Sequence, residues 1–280
     1  MAGQDPSRQP LTLLVHCELD DTTAARTALA VDLARRTGAH LIGAAACAPR
    51  RLGGAAPLAG LSPAATKHEL REALRRAAED FKTRAAEVER ANFRCAIKPA
   101  DVFLAQESVS ADLVIVGPQG SGPGGPLSLD TAALVMSTGR PVLIAPEGLD
   151  RLDLRRAVVA WKTARESRRA LLDGLPWLEM AEAVLILHVV EDPHERPEDD
   201  RLEAVRDWLL SRVARVEAVR RPARLELDSV ADDILDSAES FGAGLIVAGA
   251  YSRAPFSERL FGGVTREFLK RGRPARLLSH

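Results

Sequence analysis

Compact apolar runs alternate with longer amphipathic stretches along the whole chain. Leu11–His16, Leu41–Cys47, Phe93–Ile97, Leu113–Val116 and Val142–Ala145 are short and apolar, which predicts buried strands. Between them, helical periodicity predicts helices: one after Asp20 or Thr22 with Ala25, Leu29 and Leu33 on one face, then about 63–91, 102–109 and 127–137. Gly38 reads as the stop of the first helix. Pro49–Pro63, with Gly53, Gly54, Pro57 and Gly60, reads as a mobile loop. After a linker at Glu147–Leu154 the order recurs. Strands are predicted at Ala157–Trp161, Ala183–Val190, Ala223–Leu227, Leu245–Ala248 and Ala275–Leu278. Helices are predicted at Arg165–Trp177, Leu202–Val219 and Val230–Ser240, with a last one after Gly263 that sets Phe268 and Leu269 on one face. Strands alternating with helices imply right-handed parallel crossovers and a sheet covered on both faces.

The recurrence extends to residues. Ala111-Asp-Leu-Val-Ile-Val-Gly117 parallels Ala243-Gly-Leu-Ile-Val-Ala-Gly249, and Gly139-Arg-Pro141 parallels Gly272-Arg-Pro274. A period of half the chain is too long for a solenoid unit, so it implies two similar domains in tandem, 11–146 and 155–280. The edge strands Val142–Ala145 and Ala275–Leu278 should pair with each other, antiparallel, within the molecule or across a dimer.

Composition narrows the function classes. A net charge of -1 gives no global basic field for nucleic acid or an anionic membrane. No run of eighteen apolar residues suggests a span. Met1 to Pro10 is polar and reads as a disordered leader, not a signal peptide. Cys17, Cys47 and Cys95 make no disulfide framework, which fits a reducing, cytoplasmic setting. Cys17 and Cys47 close neighbouring strands and are either a redox pair or small buried packing residues. The six histidines have no metal-ligand spacing, so no metal cofactor is expected, and His188 reads as a core residue. No Gly-x-Ser-x-Gly elbow supports acyl transfer. Arg206–Arg221 reads as the solvated, ion-paired face of one helix.

Two halves that each end in strand, Gly-x-x-(Gly/Ser), a nine-residue loop, helix and Gly-Arg-Pro strand resemble the universal stress protein A family in tandem form. The resemblance covers nearly the whole chain. It implies an α/β fold of two doubly wound domains, each a five-stranded parallel sheet of order 3-2-1-4-5, packed as a pseudo-dimer or joined in a homodimer through the last strand. It also implies a loop that holds ATP phosphates in the nucleotide-binding members, with an Asp at the end of the first strand lining the site. In the second half Gly249, Ser252, Gly262, Gly263, Val264 and Thr265 fall on that loop, with Ser252 in place of a glycine and Gly263 in place of Ser or Thr. Lys162 stands where binders carry the Asp; it is either a point charge for phosphate or a solvated lysine at a strand end. The first half is more degenerate. Gly117 and Gly120 match, Thr131 holds the Ser/Thr position, but Asp130 replaces the anion-binding glycine, and Glu18 lies in a segment without the usual Asp-Gly-Ser. A carboxylate there repels phosphate and caps its own helix. The resemblance thus implies a stress-response binding or regulatory protein, with ATP or another adenine nucleotide expected in the second half. The rival readings are a nucleotide-hydrolysing enzyme of low turnover, against which no general base is visible near the loop, and a ligand-free scaffold that binds a protein partner.

Overall fold

A computed structural model describes residues 10–19, 22–47, 67–119, 129–190, 201–224, 226–251, 263–270 and 272–280. The first half runs β1 (Thr12–His16), α1 (Thr23–Thr37), β2 (His40–Ala46), α2 (Lys67–Arg84), β3 (Ala91–Ala96), α3 (Ala100–Glu107), β4 (Leu113–Val116), α4 (Thr131–Ser137) and β5 (Val142–Ile144). The second runs β6 (Arg156–Ala160), α5 (Arg165–Leu178), β7 (Ala183–Val190), α6 (Leu202–Leu210), β8 (Val216–Pro222), α7 (Val230–Phe241), β9 (Leu245–Gly249), α8 (Gly263–Phe268) and β10 (Ala275–Ser279).

Among the described residues the ten strands form one sheet in the order β3-β2-β1-β4-β5-β10-β9-β6-β7-β8. Within each half the pairings are parallel and the order is 3-2-1-4-5 in that half's own count. The halves join where β5 and β10 pair antiparallel, Val142 opposite Leu278 and Ile144 opposite Arg276. The two edges expected to need a partner satisfy each other inside one chain.

Strand side chains alternate between two apolar layers, as the period of two requires. Leu13, Val15, Ile115, Leu143, Val159, Val247 and Leu277 point to one layer, with Leu29 and Leu33 of α1, Phe81 of α2 and Trp177 of α5. Leu14, Val114, Val158 and Ile246 point to the other, with Leu104 of α3, Leu134 of α4, Ile234 of α7 and Phe268 of α8. Each layer is continuous across both halves, so the seam is core rather than a surface contact. Gly38 and Gly242 end α1 and α7 at φ 67° and 71°, a region open to glycine at little steric cost, and both donate back into their helices.

The structure corrects one stretch. The helix expected over Leu202–Val219 stops at Leu210, and the strand expected over Ala223–Leu227 is instead β8 at Val216–Pro222. Val213, Val216 and Val219 recur every three residues, which imitates a helical stripe. β8 is the outermost strand, and only Val216 is buried on it, so the alternation that marks a strand is missing from its sequence. Charged side chains on an edge strand discourage further pairing. Arg206 and Arg221 therefore do not share a helix: Arg221 binds the buried Asp233 of α7. The expected loop at Pro49–Pro63 lies outside the described residues, as does the segment Glu191–Asp200.

Candidate functional site

In parallel α/β sheets ligands sit beyond the carboxyl ends of the strands, where the order reverses. In the second half that point lies between β6 and β9. A cleft opens there, floored by Ala160 and Ala248 and rimmed by Lys162, Gly249, Gly263, Val264 and Thr265. Its apolar wall comes from Leu187 and Val189 of β7 and Val230 and Ile234 of α7. Lys162, Gly249, Gly263, Val264 and Thr265, singled out from the sequence, lie together here; the wall and Ser167, which also lines the cleft, were not among the residues singled out. Apolar residues at strand ends carry no signal that separates a ligand wall from core. Ser252 and Gly262 lie outside the described residues.

Gly249 has a packing reason. A Cβ built on it would lie 2.5 Å from the carbonyl carbon of Glu166 and 2.6 Å from the Ser167 nitrogen, so the first turn of α5 approaches β9 only because the side chain is absent. Gly263 is different: among the described residues nothing lies within 4 Å of a Cβ built there. It opens α8 with bare backbone, and among the described residues no side chain accepts from the N–H groups of Gly263, Val264 or Thr265. The Thr265 hydroxyl is buried and accepts from the Tyr251 N–H at 3.2 Å, which holds the start of the loop at φ 59° against α8.

The first half has the same backbone and different occupants. Gly117 is buried at the end of β4, Thr131 is buried at the start of α4, and Gly120 lies outside the described residues. The first amides of α4 are taken by the protein itself. Gln119 Oε1 accepts from the Thr131 N–H at 3.0 Å and the Ala132 N–H at 3.3 Å, and Asp130 Oδ1 accepts from the Ala133 N–H at 2.9 Å. After β1, Arg26 reaches back from α1. Its Nη1 donates to the His16 carbonyl at 2.9 Å and its Nη2 to Glu18 Oε2 at 3.0 Å. Thr23 Oγ1 donates to the Glu18 carbonyl at 2.6 Å. Burial pushes the His16 imidazole down to about 4; Arg26 adds to this and Glu18 opposes it. Burial works to raise the Glu18 carboxyl, but His16, Arg26 and the Thr22 hydroxyl hold it below its usual range.

Register makes the two ends comparable. Val15 faces Ile115 and Val159 faces Val247 in matching pairs. Three residues on stand Glu18 in one half and Lys162 in the other. The two halves also touch at the seam: the Gln119 N–H, just after β4, donates to the Leu269 carbonyl, just after α8, at 2.7 Å. Burial, and then the charge of Asp130, push the Tyr251 phenol up to about 12.

The thiols fall on the packing side of the alternatives. Cys17 and Cys47 are buried, Cys95 is exposed, and all three are free. Burial pushes Cys17 and Cys47 up to about 11, so both are protonated at neutral pH and poor nucleophiles. His188 is buried within β7. Among the described residues no group of three His, Cys, Asp or Glu side chains is placed to hold a metal ion, and no helix is long and apolar enough to cross a membrane.

No family model and no curated protein matches the sequence. Solved structures do match. A universal stress protein from Archaeoglobus fulgidus DSM 4304 is 14% identical, with 97% of this chain and 96% of that one covered and a TM-score of 0.66. A putative universal stress protein from Pseudomonas aeruginosa UCBPP-PA14 is 17% identical over 96% of this chain and 93% of that one, with a TM-score of 0.58. A functionally unknown protein from Pseudomonas aeruginosa PAO1 is 18% identical over 96% and 92%, with a TM-score of 0.58. At such identities the likeness is one of backbone, and function has to be argued from the site. The chain has the universal stress protein fold, laid out as a tandem pair within one polypeptide.

Proposed function

We propose that this is a binding or regulatory protein of the universal stress type, built of units 11–146 and 155–280, and that it takes an adenine nucleotide in the second-half cleft. The observation that carries the reading is the contrast at the two helix starts: among the described residues no side chain accepts from the first N–H groups of α8, which open beside Lys162, whereas α4 spends its own on Gln119 and Asp130. Phosphate oxygens would accept from the Gly263 and Val264 amides, with Thr265 supplying a hydroxyl and Lys162 a point charge. The base would lie against Leu187, Val189, Val230 and Ile234. Among the described residues lining the cleft there is no carboxylate or histidine to act as a general base, in keeping with a binding role.

In the first half Asp130 would set a negative charge beside phosphate, at a Coulomb cost of about 1–4 kcal/mol near a surface. Titration of labelled ATP and AMP into the wild type, Gly263→Asp and Asp130→Gly tests the reading. Gly263→Asp has room for its side chain and should abolish binding without unfolding the protein. Asp130→Gly should leave the second-half site intact and add weak binding in the first. Equal affinity in the wild type and Gly263→Asp would remove α8 from the site. Absence of binding in the wild type would leave the partner-binding scaffold as the better reading.

A further inference from the structure

Helix starts in the second half differ in how they are closed. α7 is capped by Ser229, whose Oγ accepts from the Asp232 N–H at 3.1 Å. α5 is 14 residues long and begins after Ala164, which has no side-chain acceptor to offer. Its helical bonding starts at Arg168, whose N–H donates to the Ala164 carbonyl at 3.2 Å. The N–H groups of Arg165, Glu166 and Ser167 therefore lack a helical partner, and among the described residues no side chain accepts from them.

This first turn stands at the nucleotide cleft. The missing side chain of Gly249 lets the Ser167 nitrogen come against the end of β9, and Ser167 lines the cleft together with Lys162. Ser167 is 6% exposed, and among the described residues its hydroxyl takes part in no hydrogen bond. A hydroxyl buried that far without a partner costs free energy that a bound acceptor would recover. The carboxylate of the turn, Glu166, ion-pairs with Arg165 at 3.7 Å and is not among the residues lining the cleft. Unspent amides at the positive end of a helix dipole, a buried hydroxyl and a lysine make a donor set for an anion.

α5 and α8 belong to opposite layers of the sheet. Leu171 and Trp177 of α5 pack in one, and Ile234 of α7 and Phe268 of α8 in the other. A base on the wall of β7 and α7 and a phosphate at α8 would both lie toward the second layer. The ribose between them, over the ends of β6 and β9, would turn its hydroxyl-bearing edge to α5. Resting on the nucleotide reading above, we propose that the start of α5 is a second anion subsite of the cleft, and that the nucleotide held there carries a phosphate on its ribose ring, at the 2′ or 3′ position, as well as at 5′. The ring phosphate accepts from Ser167 Oγ and from the first amides of α5, with Lys162 beside it.

Calorimetric titration of the full chain with AMP, adenosine 3′,5′-bisphosphate and adenosine 2′,5′-bisphosphate tests this. One of the bisphosphates should bind about tenfold or more tighter than AMP, as further charge-assisted hydrogen bonds give. Ala164→Asn sets a neutral cap on the same amides and should raise the thermal midpoint. Ser167→Ala removes the hydroxyl. In the double variant the bisphosphate should bind no better than AMP. A bisphosphate without advantage over AMP in the wild type would overturn the subsite and leave the nucleotide reading standing. So would an advantage that survives undiminished in the double variant, which is what net charge alone gives. If neither AMP nor a bisphosphate binds, the subsite and the nucleotide reading fall together.

Discussion

At the end of β1 the chain buries Glu18 against Arg26; at the matching place after β6 it sets Lys162 at the rim of a cleft. At the start of α4 the amides are spent on Gln119 and Asp130; at the start of α8 no side chain among the described residues accepts from them. The same strand-loop-helix backbone therefore yields one edge closed by its own polar groups and one left open. Buried or half-buried amides at a helix start need acceptors. A chain supplies them from its own side chains or keeps the position for a ligand. A repeat of backbone is thus no guarantee of a repeat of function, and the side chains that distinguish the halves lie within a few residues of each strand end.

The comparison breaks most visibly at the buried pair. Arg26→Ala strands the Glu18 carboxylate, whose side chain is 13% exposed, without its cation. Loss of one partner of such a pair costs about 3–5 kcal/mol. Lys162→Ala at the matching site should cost clearly less, because that side chain stands at a cleft rim and not in a buried charge pair. Urea denaturation of both variants checks this. Similar losses in the two would mean that the edges are not closed and open in the sense argued.

A somewhat smaller effect is expected from pH. His16 has a folded pKa of about 4, below its ordinary value of 6.5. Between those values the unfolded chain binds a proton that the native one refuses. Stability is therefore full above about pH 6.5 and falls as pH drops toward 4, by up to about 3 kcal/mol. Its counterpart in the second half is Ala160, which cannot titrate. Urea midpoints measured from pH 7.5 to 4.5 should show this slope in the wild type and a flatter one in His16→Gln. A slope that survives the substitution would have another source.

The smallest effect sharpens the cap. Gln119→Ala frees the Thr131 and Ala132 amides and should cost about 1 kcal/mol. In the Asp130→Gly background the same change should raise first-half affinity for phosphate, because the amides then match those of α8. Inorganic phosphate titrated into the double variant would decide it, with no gain over Asp130→Gly alone as the adverse result.

The sequence by itself determined most of the strands and helices, because buried strands and amphipathic helices leave periodic marks and glycines such as Gly38 and Gly242 punctuate them. It also determined the repeat, the rim residues Lys162, Gly249 and Gly263, and the antiparallel meeting of Val142 and Leu278, since two short edge strands need partners. It misread β8, where the outermost strand has one buried residue and so no alternation to see. Only the tertiary structure decided which amides are spent. Gln119 lies twelve residues from Thr131, and Arg26 eight from Glu18, and such polar partnerships have no period. The cleft wall came from β7 and α7, through contacts that depend on where helices land on a sheet. Local pattern records what a residue does for its own element; which distant group meets it is fixed only when the layers close.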